Sequence, residues 1–334
     1  MSEMVPAIVV GAFVQFAYAE IWGLNAASVS IVWTLFNVFK FFVIPNAGKI
    51  VDQTTNKIKL YLITASISLI GFWIVWNPIL FEDKNLVLVE MLVGLIIFAI
   101  GSSSQLIVRS SLFQELFDAK SRSTVAGLQQ LFSIVGVIAG MIVPPILSDG
   151  WKNIQFMAIV MIALSSFGVA CCSIGSTLRA KQFPATQEKP KETQAIKESF
   201  LHRTLAPLKQ IPNLRLLVIA TLTSNIGFQS ILSNSQLYIK YFVPGVKETR
   251  SFFGIELATG SQIGVAQLVG QLFSLGSTPV WLNLSAKLGY GNTWALSAAG
   301  FGVITLIQYF FQTGTLGFLF FCQVIFLLIL NIVK

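Results

Sequence analysis

Charge is scarce in this sequence: only 11% of its 334 residues are Asp, Glu, Lys or Arg, against about 25% in a soluble globular domain. Hydrophobic residues make up 54%, and the mean hydropathy is +0.76. That balance excludes an ordinary water-soluble fold and leaves an all-α polytopic membrane protein embedded in the lipid bilayer. Histidine occurs once, as His202 in a polar stretch, which excludes catalysis by an intramembrane histidine. The three cysteines, Cys171, Cys172 and Cys322, lie in apolar segments. The adjacent pair is poorly placed for a disulfide, and no metal-ligand spacing occurs. There is no Gly-rich phosphate loop ending in Lys-Ser or Lys-Thr, and no His/Cys/acid cluster supports an enzyme. No cofactor is therefore expected. The opening Met1-Ser2-Glu3 lacks the basic residues of a secretory signal. Residues 4–19 thus read as a first membrane helix, although Ala17-Tyr18-Ala19 resembles a cleavage site.

Long apolar runs are what the sequence has. Ten of them, near 4–23, 27–47, 60–79, 87–108, 125–147, 153–177, 215–240, 258–284, 293–311 and 315–333, are each long enough to cross about 30 Å of hydrocarbon. Backbone groups cannot be left unpaired in lipid, so each reads as a helix. With the amino terminus inside, the inner segments hold 15 Lys and Arg residues, from Lys49 to Lys287, against 5 outside. That asymmetry predicts a cytoplasmic amino terminus and central linker. The net charge of +8 is then a topology signal, and no nucleic-acid partner is implied. Residues 178–212 carry Pro184, Pro190, Pro207 and Pro212 among mixed charges. They read as a linker between a six-helix bundle (1–177) and a four-helix segment (213–334), with 192–209 forming a short amphipathic helix on the membrane face.

Six helices, a basic linker and further helices is the layout of the major facilitator superfamily, in which two bundles flank a central site. Two stretches sharpen the resemblance. Gly48-Lys49-Ile50-Val51-Asp52, followed by Lys57 and Lys59, resembles the superfamily's cytoplasmic loop motif. Gly48 there would permit close helix packing, and Asp52 would cap or bridge basic residues. Ser111 to Asp118, leading through Lys120 and Arg122 to Gly127-Leu128-Gln129-Gln130 and Gly136, resembles the glycoside–pentoside–hexuronide:cation symporters, the melibiose-permease group. Asn225-Ile226-Gly227-Phe228 and Gly23-Leu24, opening the turn into the second span, fit the same group. The resemblance implies transport of a small-molecule solute, a sugar or sugar derivative, by alternating access and with a coupling cation, sodium or proton. It also implies twelve helices, so a truncated chain with an incomplete second bundle is expected, working as a monomer.

The departures are informative. Aligned without gaps from Gly23 to Gly48, the family's two cation-binding aspartates fall on Lys40 and Ile44, its sugar-binding acid near Leu106 and its aromatic platform near Ser110. Sodium coupling through the family's site is therefore not expected.

Lys40 is the sharpest candidate. A lone cation midway along an apolar span costs about 3 kcal/mol or more unless it meets an anion, a carbonyl or water. Its alternatives are a partner at a neighbouring helix end or a side chain that snorkels. A substrate carboxylate, sulfonate or phosphate is one counterion; a fixed charge replacing the coupling cation is another reading, and titration in the cavity a third. Polar stripes mark the remaining candidates: Gln15 and Tyr18 in the first span, Asn37 in the second, Gln129 in the fifth, Asn225, Gln229, Ser233 and Gln236 in the seventh, Gln267 and Gln271 in the eighth. Amides, hydroxyls and rings suit a hydroxyl-rich solute, though hydrogen bonding between helices explains them too. Gating contacts are assigned to Gly48, Asp52, Arg109, Glu115 and Arg122, with a solvated pair as the simpler reading of Arg109 and Glu115. A transport-deficient or receptor-like membrane protein of the same fold is the alternative function.

Overall fold

The computed structural model describes residues 3–78, 83–118 and 153–182, scattered residues between 125 and 144 and between 284 and 303, and the backbone of two short strands. Five helices in it are long and apolar enough to cross a membrane. The first runs as α1 (Met4–Phe16) and closes in a π-helical turn over Ala17–Ile21. The others are α2 (Ala26–Gln53), α3 (Lys57–Trp76), α4 (Lys84–Leu116) and α5 (Ile154–Gln182). Described residues of the predicted fifth span, 135–140 among them, are helical. The exception to the all-helical expectation is a small antiparallel hairpin of β1 (Arg250–Phe252) and β2 (Ile255–Leu257), lying between two predicted spans.

Local chemistry explains the helix starts. Asn25, Asn56 and Asp83 stand before α2, α3 and α4, and each side chain accepts a hydrogen bond from a backbone N–H of the first turn. The turn from α1 into α2 passes through Gly23 at φ +64°, a conformation that costs glycine little. The helices outrun their apolar runs because polar residues can prolong a helix beyond the hydrocarbon. Hence the Gly48–Asp52 motif, expected in a loop, lies inside α2, and only Thr54–Asn56 join α2 to α3. Likewise α5 continues past residue 177 to Gln182.

Helices α1 to α4 alternate in direction, and α5 runs parallel to α4, its Arg179 reaching the Leu116 carbonyl. Glu3 at the start of α1 pairs with Arg109 late in α4, Lys57 at the start of α3 pairs with Glu115 at the end of α4, and Lys84 at the start of α4 donates to the Gly23 carbonyl at 3.1 Å. One end of the bundle thus holds Glu3, Lys57 and Leu116, and the opposite end holds Gly23, Trp76 and Lys84.

Packing is tightest between α3 and α4. A Cβ at Gly71 would collide with the backbone of Phe98, and one at Gly101 with the backbone of Ser68. One at Gly94 would reach Val75 Cγ2 at 2.9 Å. Small residues let membrane helices approach this closely and gain dispersion contacts that lipid cannot replace. Gly48, by contrast, meets nothing within 4 Å among the described residues. The close approach expected at Gly48 is made at these three glycines instead.

Two apolar clusters form the core. The larger, toward the Gly23 end, joins Phe13 and Val14 of α1, Trp33 and Phe36 of α2, Phe72 and Trp76 of α3, Met91 and Phe98 of α4, and Met157 and Met161 of α5. The smaller, toward the Glu3 end, joins Val51, Tyr61, Ala65, Val108, Leu112 and Val169.

Candidate functional site

Between the two apolar clusters the helices turn polar. On α3, Ser68 is buried between Ala65 of the smaller cluster and Phe72 of the larger. On α4, Ser103 and Gln105 are buried between Ala99 and Val108, and on α5 Ser165 is buried between Met161 and Val169. On α2 the inward stripe runs Val29, Trp33, Phe36, then Ala47 and Val51. Lys40 falls on that stripe, four residues after Phe36, in the interval between the clusters. By position along the helices, Lys40 and these four residues form a polar belt at mid-depth.

Lys40 is half-buried, and its Nζ sits 5.6 Å from the centroid of the Phe36 ring. Phe36 is itself buried beside Trp33, ring centroids 5.0 Å apart. A cation over an aromatic face is favourable by about 0.5–2 kcal/mol, which does not match a full counterion in low dielectric. Among the described residues no carboxylate pairs with this ammonium. Ile44, one turn further on, is 45% exposed.

The other predicted residues sort differently. Gln15 is buried, and its Oε1 has no hydrogen-bond partner among the described residues. The Tyr18 hydroxyl is committed: it donates to the Val75 carbonyl at 2.6 Å, tying α1 to α3, and its ring meets Trp22 edge-on at 4.3 Å. Asn37 spends its amide on the Trp33 carbonyl of its own helix at 2.9 Å. Gln129 is half-buried in a helical segment whose Ser133 is buried. Leu106 is 44% exposed, and the Ser110 hydroxyl donates to its carbonyl at 2.9 Å. Asn225, Gln229, Ser233, Gln236, Gln267, Gln271 and Arg122 lie outside the described residues.

The gating candidates resolve into separate pairs. Arg109 and Glu115 do not pair with each other. Arg109 Nη1 lies 3.1 Å from Glu3 Oε2, with both side chains largely buried. Glu115 meets Lys57, whose ammonium also donates to Ser111 Oγ at 2.7 Å. Arg179 of α5 donates through Nε to the Leu116 carbonyl at 3.4 Å and stacks 5.5 Å from the Phe117 ring, so a cation closes the negative end of α4. Asp52 is exposed. Sequence reasoning passed over Glu3, and it passed over the Ser102-Ser103-Ser104-Gln105 run, whose position inside an apolar span was the available signal.

The sequence matches the family described as MFS/sugar transport protein over residues 3–333. The chain belongs to that family. Its fold agrees with solved transporters of low identity. A mutant of the nucleoside transporter NupG is 12% identical, with a TM-score of 0.65, over 99% of this chain and 79% of that one. A bacterial homologue of the human drug peptide transporters PepT1 and PepT2 is 14% identical, also with a TM-score of 0.65, over 99% and 79%. Tetrameric PepTSo2 is 15% identical, with a TM-score of 0.66, over 100% and 80%. No curated protein matches the sequence. The superfamily expected from the loop and fifth-span motifs is thus the one to which the chain belongs, and family membership makes it a multi-pass membrane protein of a transporter class.

Proposed function

We propose that this member of the family moves a sugar or an anionic sugar derivative across the bilayer by alternating access, with Lys40 as the contact for the solute's negative group. One observation carries the reading. The inward stripe of α2 places a cation on the polar belt between two apolar clusters, and the described residues supply it with a ring face and no carboxylate. A charge at that depth is stable only with an anion, a carbonyl or water, so a carboxylate or phosphate on the solute is a fitting counterion. Gln15, whose amide oxygen has no partner among the described residues and lies close in sequence to the π-helical turn, supplies a hydrogen-bond acceptor for a sugar hydroxyl.

In the same reading the end that carries Glu3 faces the cytoplasm, as the 15-to-5 bias of Lys and Arg implies. Residues 1–177 form one rocking body, 178–212 the linker and 213–334 the other body. Coupling through the family's cation site is not expected, because the positions where the resemblance puts cation-binding carboxylates are Lys40 and Ile44, and the fixed charge of Lys40 would replace the coupling cation. The test is uptake into proteoliposomes of a hexuronate, a hexose phosphate and the neutral hexose, each with and without a sodium or proton gradient. The proposal expects uptake of an anionic member without any sodium requirement. Uptake of the neutral hexose alone, driven by sodium, would overturn it.

A further inference from the structure

The Glu3–Arg109 pair has no part in the site at mid-depth, yet it is the most deeply buried ion pair among the described residues. The Glu3 side chain is 7% exposed and that of Arg109 is 18% exposed. Burial of this kind ordinarily demands that the remaining lone pairs and N–H groups find partners. Here they do not: Arg109 approaches one carboxylate oxygen at 3.1 Å, but neither Glu3 oxygen accepts a well-directed hydrogen bond, and Arg109 Nε has no partner among the described residues. The two charges touch without closing into the two-pronged pairing that makes buried arginine–carboxylate contacts strong.

The other charges of this end are occupied elsewhere. Lys57 and Glu115 compensate each other, and Arg179 holds the Leu116 carbonyl and the Phe117 ring. Arg109 of α4 and the amino-terminal charge both act on Glu3 and favour its ionised form. Burial outweighs both and holds its carboxyl above the ordinary glutamate range.

We infer that the Glu3–Arg109 contact is a proton-operated tie between α1 and α4: the buried carboxyl seats best when neutral, and loss of its proton to the face that carries it leaves a poorly paired charge that loosens the first turn of α1. The first turn would then rest on Val5 and Val9 against the larger cluster, with Gly140 of the following helical segment 3.1 Å from the Val5 carbonyl if it carried a Cβ. Because α1 also carries Gln15 and Tyr18, the tie would let pH on that face adjust the wall of the solute site. This last step rests on the transport reading; the tie itself does not.

The experiment uses the full chain in lipid nanodiscs and needs no solute. Hydrogen–deuterium exchange of the amides of residues 5–12, corrected for the intrinsic pH dependence, is followed as pH is lowered, beside an infrared titration of the carboxyl band. For the wild type the expected result is a severalfold fall in exchange as pH is lowered, at a midpoint above the ordinary glutamate value of about 4.3. Glu3→Gln, neutral throughout, should exchange slowly at every pH and lack the titrating band. Exchange that is flat with pH, or a Glu3→Gln protein that titrates like the wild type, would overturn the inference. If Glu3→Gln does not fold, Arg109→Lys serves instead: it keeps the positive charge, weakens the contact and should move the midpoint upward, and an unmoved midpoint would also overturn the inference. A protein that titrates as expected but carries no solute would sink the transport proposal alone.

Discussion

The two ends of the described bundle are held by different forces. At the Gly23 end, large side chains of all five helices fill one continuous apolar cluster, and the polar ties are neutral or lie at its rim: Tyr18 to the Val75 carbonyl, and Lys84 to the Gly23 carbonyl. At the Glu3 end the apolar cluster is small, and the helices are joined by side-chain charge: Glu3 to Arg109, Lys57 to Glu115, and Arg179 to the end of α4. Close-packed apolar contacts have few alternative arrangements, whereas ionic ties respond to pH, to salt and to the loss of a single partner. The Glu3 end is therefore the adjustable one.

Substitutions should rank accordingly. The largest loss is expected for Arg109→Ala, which strands a buried carboxylate and costs about 3–5 kcal/mol when Glu3 is ionised, read as a fall in thermal unfolding temperature in detergent. Gly101→Ala should come next, since its Cβ has no space against the α3 backbone, and overpacking costs about 1–3 kcal/mol. Tyr18→Phe removes one buried hydrogen bond at the other end and should cost about 0.6–1.7 kcal/mol. Glu115→Gln should fall below about 1 kcal/mol, because Glu115 is 47% exposed and its pair with Lys57 is solvent-screened. If Glu115→Gln proved as damaging as Arg109→Ala, the contrast between the two pairs would fail.

The same contrast has a pH signature. Because the Glu3 carboxyl is raised in the folded chain, its contribution to stability is complete below the unfolded value of about 4.3 and is lost as pH rises through the folded value. The wild type should lose thermal stability relative to Glu3→Gln as pH rises above the unfolded value. The opposite slope would place Glu3 below the ordinary range.

Much of this was legible in the sequence. Apolar runs located every described span, because a membrane helix must be apolar over a fixed thickness. They misplaced helix ends, since hydropathy measures hydrocarbon and not hydrogen bonding: Lys49, Asp52 and Gln53 simply continue α2. Lys40 stood out because a single charge inside an apolar run is conspicuous. Ser68, Ser103, Gln105 and Ser165 did not, because short polar side chains are common in membrane helices and only packing shows which are enclosed. Glu3 was read as the absence of a basic signal, and its partner lies more than a hundred residues away on α4. No local pattern announces such a pair.

In the proposed transport cycle Lys40 receives the negative group of the solute. Equilibrium binding of a hexuronate and of the matching neutral hexose to the purified wild type, Lys40→Ala and Lys40→Arg tests it most directly. Lys40→Ala is expected to lose at least tenfold in hexuronate affinity, about 1.4 kcal/mol, with little change toward the hexose, and Lys40→Arg to retain most of the hexuronate affinity. Equal hexuronate binding by wild type and Lys40→Ala would contradict it.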